Sequence, residues 1–174
     1  LVGLGCVAGA AGIARLTDHL VGHPDEIAVL MSVELCSLTI QRGDLTMPNF
    51  VASGLFGDGA AAVVAAGARR AEALHQTLVD TEAEHQARPR VLAARSTLYP
   101  DTERAMGWDI GPTGLRIVLD ASVPDLVRTH LGGDVHQFLD DHGLSQDDIG
   151  FYVSHPGGPK VLEAVQEALG VPRD

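Results

Sequence analysis

The sequence is poor in aromatic residues and in basic residues. Phe, Trp and Tyr make up 4% of its 174 residues, which argues against a carbohydrate-binding surface or a platform for stacking nucleic-acid bases. There are 12 Lys and Arg residues against 23 Asp and Glu, and the formal net charge is −11. Because an acidic chain repels phosphate backbones, we expect no nucleic-acid partner. An anionic ligand remains compatible with this charge, since a helix N-terminus or a local basic group can bind it.

Long apolar runs and cysteine motifs are also missing. No stretch reaches the ~18 consecutive apolar residues of a membrane-spanning helix, and the first residues do not form a charged-then-apolar leader. The two cysteines, Cys6 and Cys36, provide neither a disulfide framework nor a CxxC zinc motif. His19 and His23 have i, i+4 spacing, but a third ligand is not evident from the sequence. We therefore predict a soluble, cytoplasmic protein with no membrane insertion, no metal and no cofactor.

The patterns that are present alternate between helix and strand. Hydrophobic residues make up 45% of the chain and there are 20 Gly, which suits a layered α/β fold. The helical patterns span residues 7–21, 49–56, 123–142 with an interruption near Gly132-Gly133, and 160–169. The strand patterns, with 27–33 and 60–66 apolar enough for burial on both faces, span 27–33, 60–66, 91–98, 115–119 and 149–153. Between them lie a polar surface connection over 67–90, helical in character at 70–87, and a Gly/Pro-containing loop over 100–114.

Cys6 lies where a glycine-containing turn becomes a helix. The first backbone N–H groups of a helix and its positive dipole end favour a thiolate there. A nearby imidazole could hold this thiolate as an ion pair and then transfer a proton. His155 is the best candidate among the 8 His residues, because it follows a predicted strand and precedes a Pro/Gly turn. Spacing alone leaves open whether either residue is simply structural.

Four motifs in this order resemble the chalcone and stilbene synthase family, the type III polyketide synthases. They are GCVAGA at 5–10, LFGDGAAA at 55–62, GPTGLRIVLDASVP at 111–124 and HPGGP at 155–159. The first two are also similar to ketoacyl synthases, whereas the HPGGP turn distinguishes the type III enzymes. The amino-acid sequences of these segments most resemble those of bacterial alkylresorcinol and alkylpyrone synthases.

The resemblance implies a catalytic role for Cys6 and His155. Cys6 would accept an acyl group from an acyl-CoA, and malonyl-CoA would supply extender units by decarboxylative condensation. His155 would stabilise the thiolate and the enolate oxygen. Repeated extension and cyclisation would release a resorcinol or a pyrone, and a long fatty acyl starter is expected. The coenzyme A thioesters are substrates, so the resemblance implies no cofactor.

The resemblance also implies a substrate cavity. Phe56 matches the gatekeeping aromatic residue of the family, and Ile117 replaces its second gatekeeping Phe. Cys36 falls where the family lines its cavity, and we favour a cavity-shaping role over a second nucleophile. Lys160 is a candidate contact for coenzyme A, although a surface role is the simpler interpretation.

The implied fold is the thiolase-like layered αβαβα fold, in incomplete form. Residues 1–90 would be the end of its N-terminal half and residues 91–174 the start of its C-terminal half. The first residue is not Met, and the family's catalytic Asn would lie beyond Asp174, so we expect an internal fragment. The full-length enzyme would be a homodimer. Two alternatives stay open: a ketoacyl-ACP synthase III-like enzyme, and a non-catalytic fragment that only binds a partner.

Overall fold

The computed structural model describes residues 1–78 and 89–172, and these form nine regular helices and strands besides short 3₁₀ turns. Five are α-helices: α1 Ala8–Gly22, α2 Met47–Leu55, α3 Ala68–Leu78, α4 Val123–Asp140 and α5 Pro159–Leu169. Four are strands: β1 Ile27–Glu34, β2 Gly59–Ala66, β3 Met106–Gly111 and β4 Gly114–Leu119. The strands form two antiparallel pairs, β1 with β2 and β3 with β4.

The first compact unit comprises Leu1–Glu34 and Gly59–Ser96. Its two strands pair from Ile27 opposite Ala66 to Glu34 opposite Gly59. Helix α1 packs on one face of this pair, where Leu30 fills the space that the missing side chain of Gly12 leaves. The predicted helix 7–21 and the predicted strands 27–33 and 60–66 are therefore present.

The predicted burial of these strands on both faces is wrong for the described residues. Alternate residues of β1 point away from α1 and are exposed, among them Val29 at 54% and Met31 at 77%. Val64, the partner of Val29 across the ladder, is 69% exposed. An apolar run records that both faces can be buried, but burial also requires an element that packs on each face.

The second compact unit comprises Leu35–Asp58 and Thr97–Asp174. Strands β3 and β4 form a hairpin in which Gly111 lies opposite Gly114. Helices α4 and α5 pack closely on each other in the same unit. The predicted division of the chain at residue 90 concerns the two halves of a larger fold. It therefore differs from these two compact units, and it stays a prediction.

Two predictions of secondary structure in the second unit need correction. Helix α4 runs without a break through Gly132 and Gly133, so the predicted interruption is wrong. A Cβ on Gly132 would lie 2.5 Å from the carbonyl oxygen of Ala168, whereas a Cβ on Gly133 would meet nothing within 4 Å. Gly132 is thus needed for the close approach of α4 to α5, and it does not end the helix. Strand β3 falls within the predicted loop 100–114, so that loop is shorter than expected.

Two predicted strands are not found in the part of the chain that the structure describes. Residues 91–98 and 149–153 have no regular secondary structure, and several of their apolar side chains are exposed, including Leu92 at 80% and Val153 at 90%. A strand needs a neighbour to complete its ladder of backbone hydrogen bonds, and none of the described strands pairs with either segment. The predicted helical character at 70–87 is confirmed as far as Leu78, and residues 79–87 lie outside the described residues.

Tyr99 fastens the segment before β3 onto α4. Its hydroxyl donates a hydrogen bond to Asp134, and its ring stacks on His130 with 4.2 Å between ring centroids. Partial burial, together with the hydrogen bond and the charge of Asp134, raises the pKa of Tyr99 to about 12. The phenol is therefore neutral, and donates, throughout the physiological pH range.

Among the described residues, none of the helices combines the length and the apolar character required to cross a lipid bilayer.

The two adjacent glycines of α4 should respond oppositely to alanine. Gly133→Ala should raise the free energy of unfolding by about 0.5–1 kcal/mol, because alanine is the better helix former and has room. Gly132→Ala should lower it by about 1–3 kcal/mol, because the new methyl group pushes α5 away. Urea unfolding followed by circular dichroism measures both changes. An equal change in the two variants would contradict the close contact.

Candidate active site

Cys6 lies in a short 3₁₀ turn, Gly5–Val7, that leads directly into α1. The glycines on its N-terminal side, Gly3 and Gly5, have φ of +86° and +50°, a left-handed conformation that disfavours other residues. The thiol is exposed. The predicted position of Cys6 at the start of a helix is thus present in the structure, and the backbone amides there favour an anion.

His155 belongs to the second unit and lies in irregular backbone four residues before α5. It is exposed, and its backbone carbonyl accepts a hydrogen bond from the N–H of Gly157. Gly158 has φ of +111°, and a Cβ there would lie 3.6 Å from Leu55 at the end of α2. The HPGGP turn therefore lies beside the segment that carries Phe56.

The second unit contains a pocket of about 140 Å³. Phe56, Ile117 and Cys36, the three residues predicted to shape a substrate cavity, all line it. The other lining residues come from the same segments and from β3: Ser37, Thr39, Ile40, Asn49, Ala52, Ser53, Gly57, Asp58 and Trp108. The structure thus brings together residues that are up to 81 positions apart in the chain, from Cys36 to Ile117.

An aromatic pair forms part of the pocket wall. The rings of Phe56 and Trp108 have centroids 6.4 Å apart and are tilted by 58°, a geometry typical of favourable aromatic contacts. Trp108 on β3 lies opposite Ile117 on β4 in the hairpin. Residues opposite each other in an antiparallel pair point to the same face, so the hairpin presents both side chains to the pocket.

Two hydrogen bonds join the two turns that carry Cys36 and Phe56. The backbone N–H of Ser37 donates to Oδ1 of Asp58 at 2.7 Å, and its hydroxyl donates to Oδ2 at 2.6 Å. The hydroxyl of Ser37, and then its backbone N–H, lower the pKa of the Asp58 carboxyl. Asp58 is the carboxylate among the pocket-lining residues.

Asn49 and Trp108 are pocket residues to which sequence reasoning gave no role. The side-chain amide of Asn49 is buried and donates to the carbonyl oxygens of Gln41 and Asp44, at 3.0 and 2.7 Å. This holds the loop before α2. Trp108 fell within a predicted loop, although a Pro112-Thr113 turn between flanking glycines is a hairpin signal that could have revealed its strand.

The other predicted site residues are not part of this pocket. Cys6 belongs to the first unit, and its pairing with His155 stays a prediction. Lys160 is exposed in the first turn of α5. Its contact with coenzyme A likewise stays a prediction.

Comparison with known proteins identifies the family. Residues 90–174 match the model of "Chalcone and stilbene synthases, C-terminal domain". Residues 90–174 belong to the chalcone and stilbene synthase family. The rest of the chain aligns with type III polyketide synthases, which confirms the predicted resemblance.

Two curated relatives and one solved structure illustrate the family match. The chain is 58% identical over 170 residues to 1,3,6,8-tetrahydroxynaphthalene synthase of Streptomyces peucetius subsp. caesius, covering 98% of this chain and 42% of the relative. It is 36% identical over 176 residues to 3,5-dihydroxyphenylacetyl-CoA synthase of Streptomyces toyocaensis, covering 99% of this chain and 42% of the relative. The crystal structure of 1,3,6,8-tetrahydroxynaphthalene synthase from Streptomyces coelicolor A3(2), a bacterial type III polyketide synthase, matches with a TM-score of 0.81 at 31% identity.

This structural match covers 99% of the present chain and 44% of the crystallised synthase chain. The predicted fold class, an incomplete thiolase-like α/β fold, is confirmed by this match. The chain spans less than half the length of the type III synthases that it matches.

The hydrogen bonds from Ser37 to Asp58 give a test of how the pocket is held together. In Ser37→Ala, the pKa of Asp58 should rise towards its ordinary value, because the larger of the two contributions is lost. The pKa of Asp148 should stay unchanged, since Ser145 binds it by the same two kinds of hydrogen bond elsewhere. Carboxyl ¹³C chemical shifts followed by NMR from pH 2 to 6 report both values.

The sign of the accompanying stability effect follows from linkage. A carboxyl with a lowered pKa in the folded state stabilises that state above its unfolded pKa, and the stabilisation disappears as the pH falls through the folded pKa. Ser37→Ala should therefore lose stability near neutral pH and differ less from the parent in acid. A pKa of Asp58 that does not move in the variant would show that Ser37 does not hold it.

Proposed function

We propose that the full-length protein is a type III polyketide synthase that condenses malonyl-CoA units onto an acyl starter bound to Cys6. The observation that supports this most is the pocket in which Phe56, Ile117 and Cys36 lie together with Trp108. The first three of these residues were predicted from the family resemblance to shape the cavity. The family match of residues 90–174 supports the same activity.

The proposed reaction begins with acyl transfer. The Cys6 thiolate attacks the thioester carbonyl of an acyl-CoA, and the C–S bond to coenzyme A breaks as its thiolate leaves. Malonyl-CoA then loses CO₂, and the electron pair of the broken C–C bond becomes an enolate. The enolate carbon attacks the Cys6 thioester, a C–C bond forms, and the Cys6 thiolate is released with a β-ketoacyl-CoA as product.

His155 and Phe56 have separate roles in this proposal. An imidazole N–H of His155 stabilises first the thiolate and then the enolate oxygen, where negative charge develops. The apolar ring of Phe56 disfavours the malonyl carboxylate relative to neutral CO₂, because an unpaired charge is costly against an apolar surface. Both roles are proposals that the residue positions alone do not test.

The size of the pocket favours a short starter. A dry cavity of about 150 Å³ holds a molecule of benzene, and the pocket here is about 140 Å³. A short acyl group such as malonyl fits a volume of this kind, whereas a long fatty acyl chain needs several times as much. We propose a small starter, with Trp108 limiting the length of the pocket, and the long-chain fatty acyl starter expected from sequence is the alternative.

The names of the relatives suggest the class of product. The two relatives are named after 1,3,6,8-tetrahydroxynaphthalene and 3,5-dihydroxyphenylacetyl-CoA. Both compounds carry hydroxyl groups on alternate ring carbons. Chains of malonyl-derived two-carbon units carry oxygen in this pattern. We propose a cyclised product with alternate hydroxyl groups, a class that includes the predicted resorcinols, and a pyrone is the alternative outcome of the same chain.

Two further features belong to this proposal. The full-length protein is a cytoplasmic homodimer, as the family resemblance implies. Lys160, in the first turn of α5, supplies a positive charge for the phosphates of coenzyme A.

The role of Cys6 can be tested in the full-length gene product. Cys6→Ala should lower product formation from malonyl-CoA by ~1,000-fold or more, because the covalent step is lost. Iodoacetamide at pH 7 should label Cys6 faster than Cys36 in the unmodified protein, since Cys6 is exposed at a helix start and Cys36 is partly buried. Mass spectrometry of tryptic peptides measures both rates in one sample.

Two outcomes would count against this proposal. Turnover of malonyl-acyl carrier protein but not malonyl-CoA would favour the ketoacyl synthase III-like alternative. An unreactive Cys6 with no acyl transfer from any acyl-CoA would favour a non-catalytic binding role.

Trp108 gives a test of starter selection. Trp108→Ala should raise the ratio of kcat/KM for hexanoyl-CoA over malonyl-CoA as starter by about tenfold or more, because the pocket lengthens where the indole is removed. Ile110→Ala is the matched control, since Ile110 is two residues along β3, is 87% exposed and does not line the pocket. Equal ratios in both variants would show that Trp108 does not limit the starter.

A further inference from the structure

A cluster of two imidazoles and a carboxylate lies at the C-terminal end of α1, on the part of the first unit that the proposed chemistry does not use. His19 is in the last turn of α1, His23 caps the helix, and Glu26 directly precedes β1. One nitrogen from each histidine and a carboxylate oxygen of Glu26 all lie within 4.8 Å of one another. We propose that these three residues form a binding site for a divalent transition metal ion of the zinc class.

The three side chains converge in the structure. The rings of His19 and His23 are stacked, with centroids 4.3 Å apart and planes inclined by 16°, because i and i+4 residues share one face of a helix. Nε2 of His19 lies 2.9 Å from Oε2 of Glu26, and a bound ion would take the place of the proton between these two atoms. Two imidazoles and a carboxylate are a known zinc ligand set, with bonds of about 2.0–2.2 Å. Exposed side chains can close these distances around an ion by small rotations, and water can complete the coordination.

The hydrogen bond of His23 leaves the correct nitrogen available. Its Nδ1 lies 2.9 Å from the carbonyl oxygen of His19. A carbonyl oxygen only accepts, so Nδ1 carries the proton and the lone pair is on Nε2. Metal-binding histidines commonly donate their other ring N–H to a backbone carbonyl in this way, which fixes the tautomer and the ring orientation.

The backbone between His23 and Glu26 is held in place by the start of α3. The N–H groups of Gly67 and Arg70 donate to the carbonyl oxygens of Glu26 and Pro24, both at 2.9 Å. A Cβ on Gly67 would lie 2.5 Å from the carbonyl oxygen of Pro24, so the two segments are in close contact. Glu26 therefore approaches His19 from a fixed backbone, which reduces the entropy lost when an ion binds.

A basic side chain near the cluster is already paired. The guanidinium of Arg69 donates two hydrogen bonds to the carboxylate of Asp25, which neutralises this positive charge. The carbonyl groups at the end of α1 carry the negative end of the helix dipole. A simple ion pair between protonated His19 and Glu26 is the competing explanation, and in that explanation His23 has no role.

The proposed site is separate from the proposed catalysis. Helix α1 has 15 residues, so the cluster is about 20 Å from the end that follows Cys6. A bound ion would fasten the last turn of α1 to the start of β1. It would stabilise the folded protein by preferential binding and would not take part in condensation.

The test is isothermal titration calorimetry of ZnCl₂ into the metal-free full-length protein, in a Cys6→Ser/Cys36→Ser background so that thiolates do not compete. We expect one site with a dissociation constant below 100 μM, and a rise in thermal midpoint with added Zn²⁺. His23→Gln and Glu26→Gln should each weaken binding by about tenfold or more. Circular dichroism checks that both variants are folded.

His136→Gln is the matched control. His136 and Asp140 form an exposed i, i+4 pair on α4 with 3.3 Å between Nε2 and Oδ2, but the described residues around them complete no cluster of three ligands. This variant should bind Zn²⁺ as the parent does. No binding at 100 μM Zn²⁺, or binding that survives loss of His23, would overturn the proposal, and neither result would bear on the condensation activity.

Discussion

The pair of hydrogen bonds from Ser37 to the carboxylate of Asp58 is the interaction on which the pocket depends. It joins two turns that are 21 residues apart in the chain, and the residues beside these turns are Cys36 and Phe56. Because a carboxylate accepts strongly from both a hydroxyl and an amide N–H, a small and exposed contact can fix the positions of two larger apolar side chains. Trp108 and Ile117, which also line the pocket, are positioned differently, by the register of the β3–β4 hairpin.

The sequence was informative about the pocket where a motif fixed a residue locally. Phe56 lies directly before a Gly-Asp-Gly turn, and Ile117 follows the two-residue turn of the hairpin, so each is tied to a short local structure. Trp108 was missed because its strand was taken for a loop, and a strand of six residues with three of them glycine or aspartate has a weak pattern. Its contribution depends on pairing with β4, which is a property of two segments together.

Strand burial shows a different limit of sequence reasoning. The apolar patterns of β1 and β2 correctly predicted strands, yet much of one face is exposed in the described residues. Periodicity reports the properties of the chain, whereas burial depends on which element packs against it. The same distinction explains residues 91–98 and 149–153, which are rich in apolar residues but have no described neighbour to complete a ladder. Gly132 is the converse case, because a residue that seemed to interrupt a helix is the one that lets two helices approach.

The two proposals place opposite charges at opposite ends of the same helix. Cys6 precedes the N-terminal end of α1, where the positive end of the helix dipole favours a thiolate. His19 and His23 lie at the C-terminal end, where the negative end of the dipole favours a cation. The sequence revealed both histidines through their spacing but could not reveal Glu26. The position of Glu26 depends on hydrogen bonds from Gly67 and Arg70, more than forty residues away. A local pattern can thus supply two ligands of a site, while the third requires a contact that only the folded chain provides.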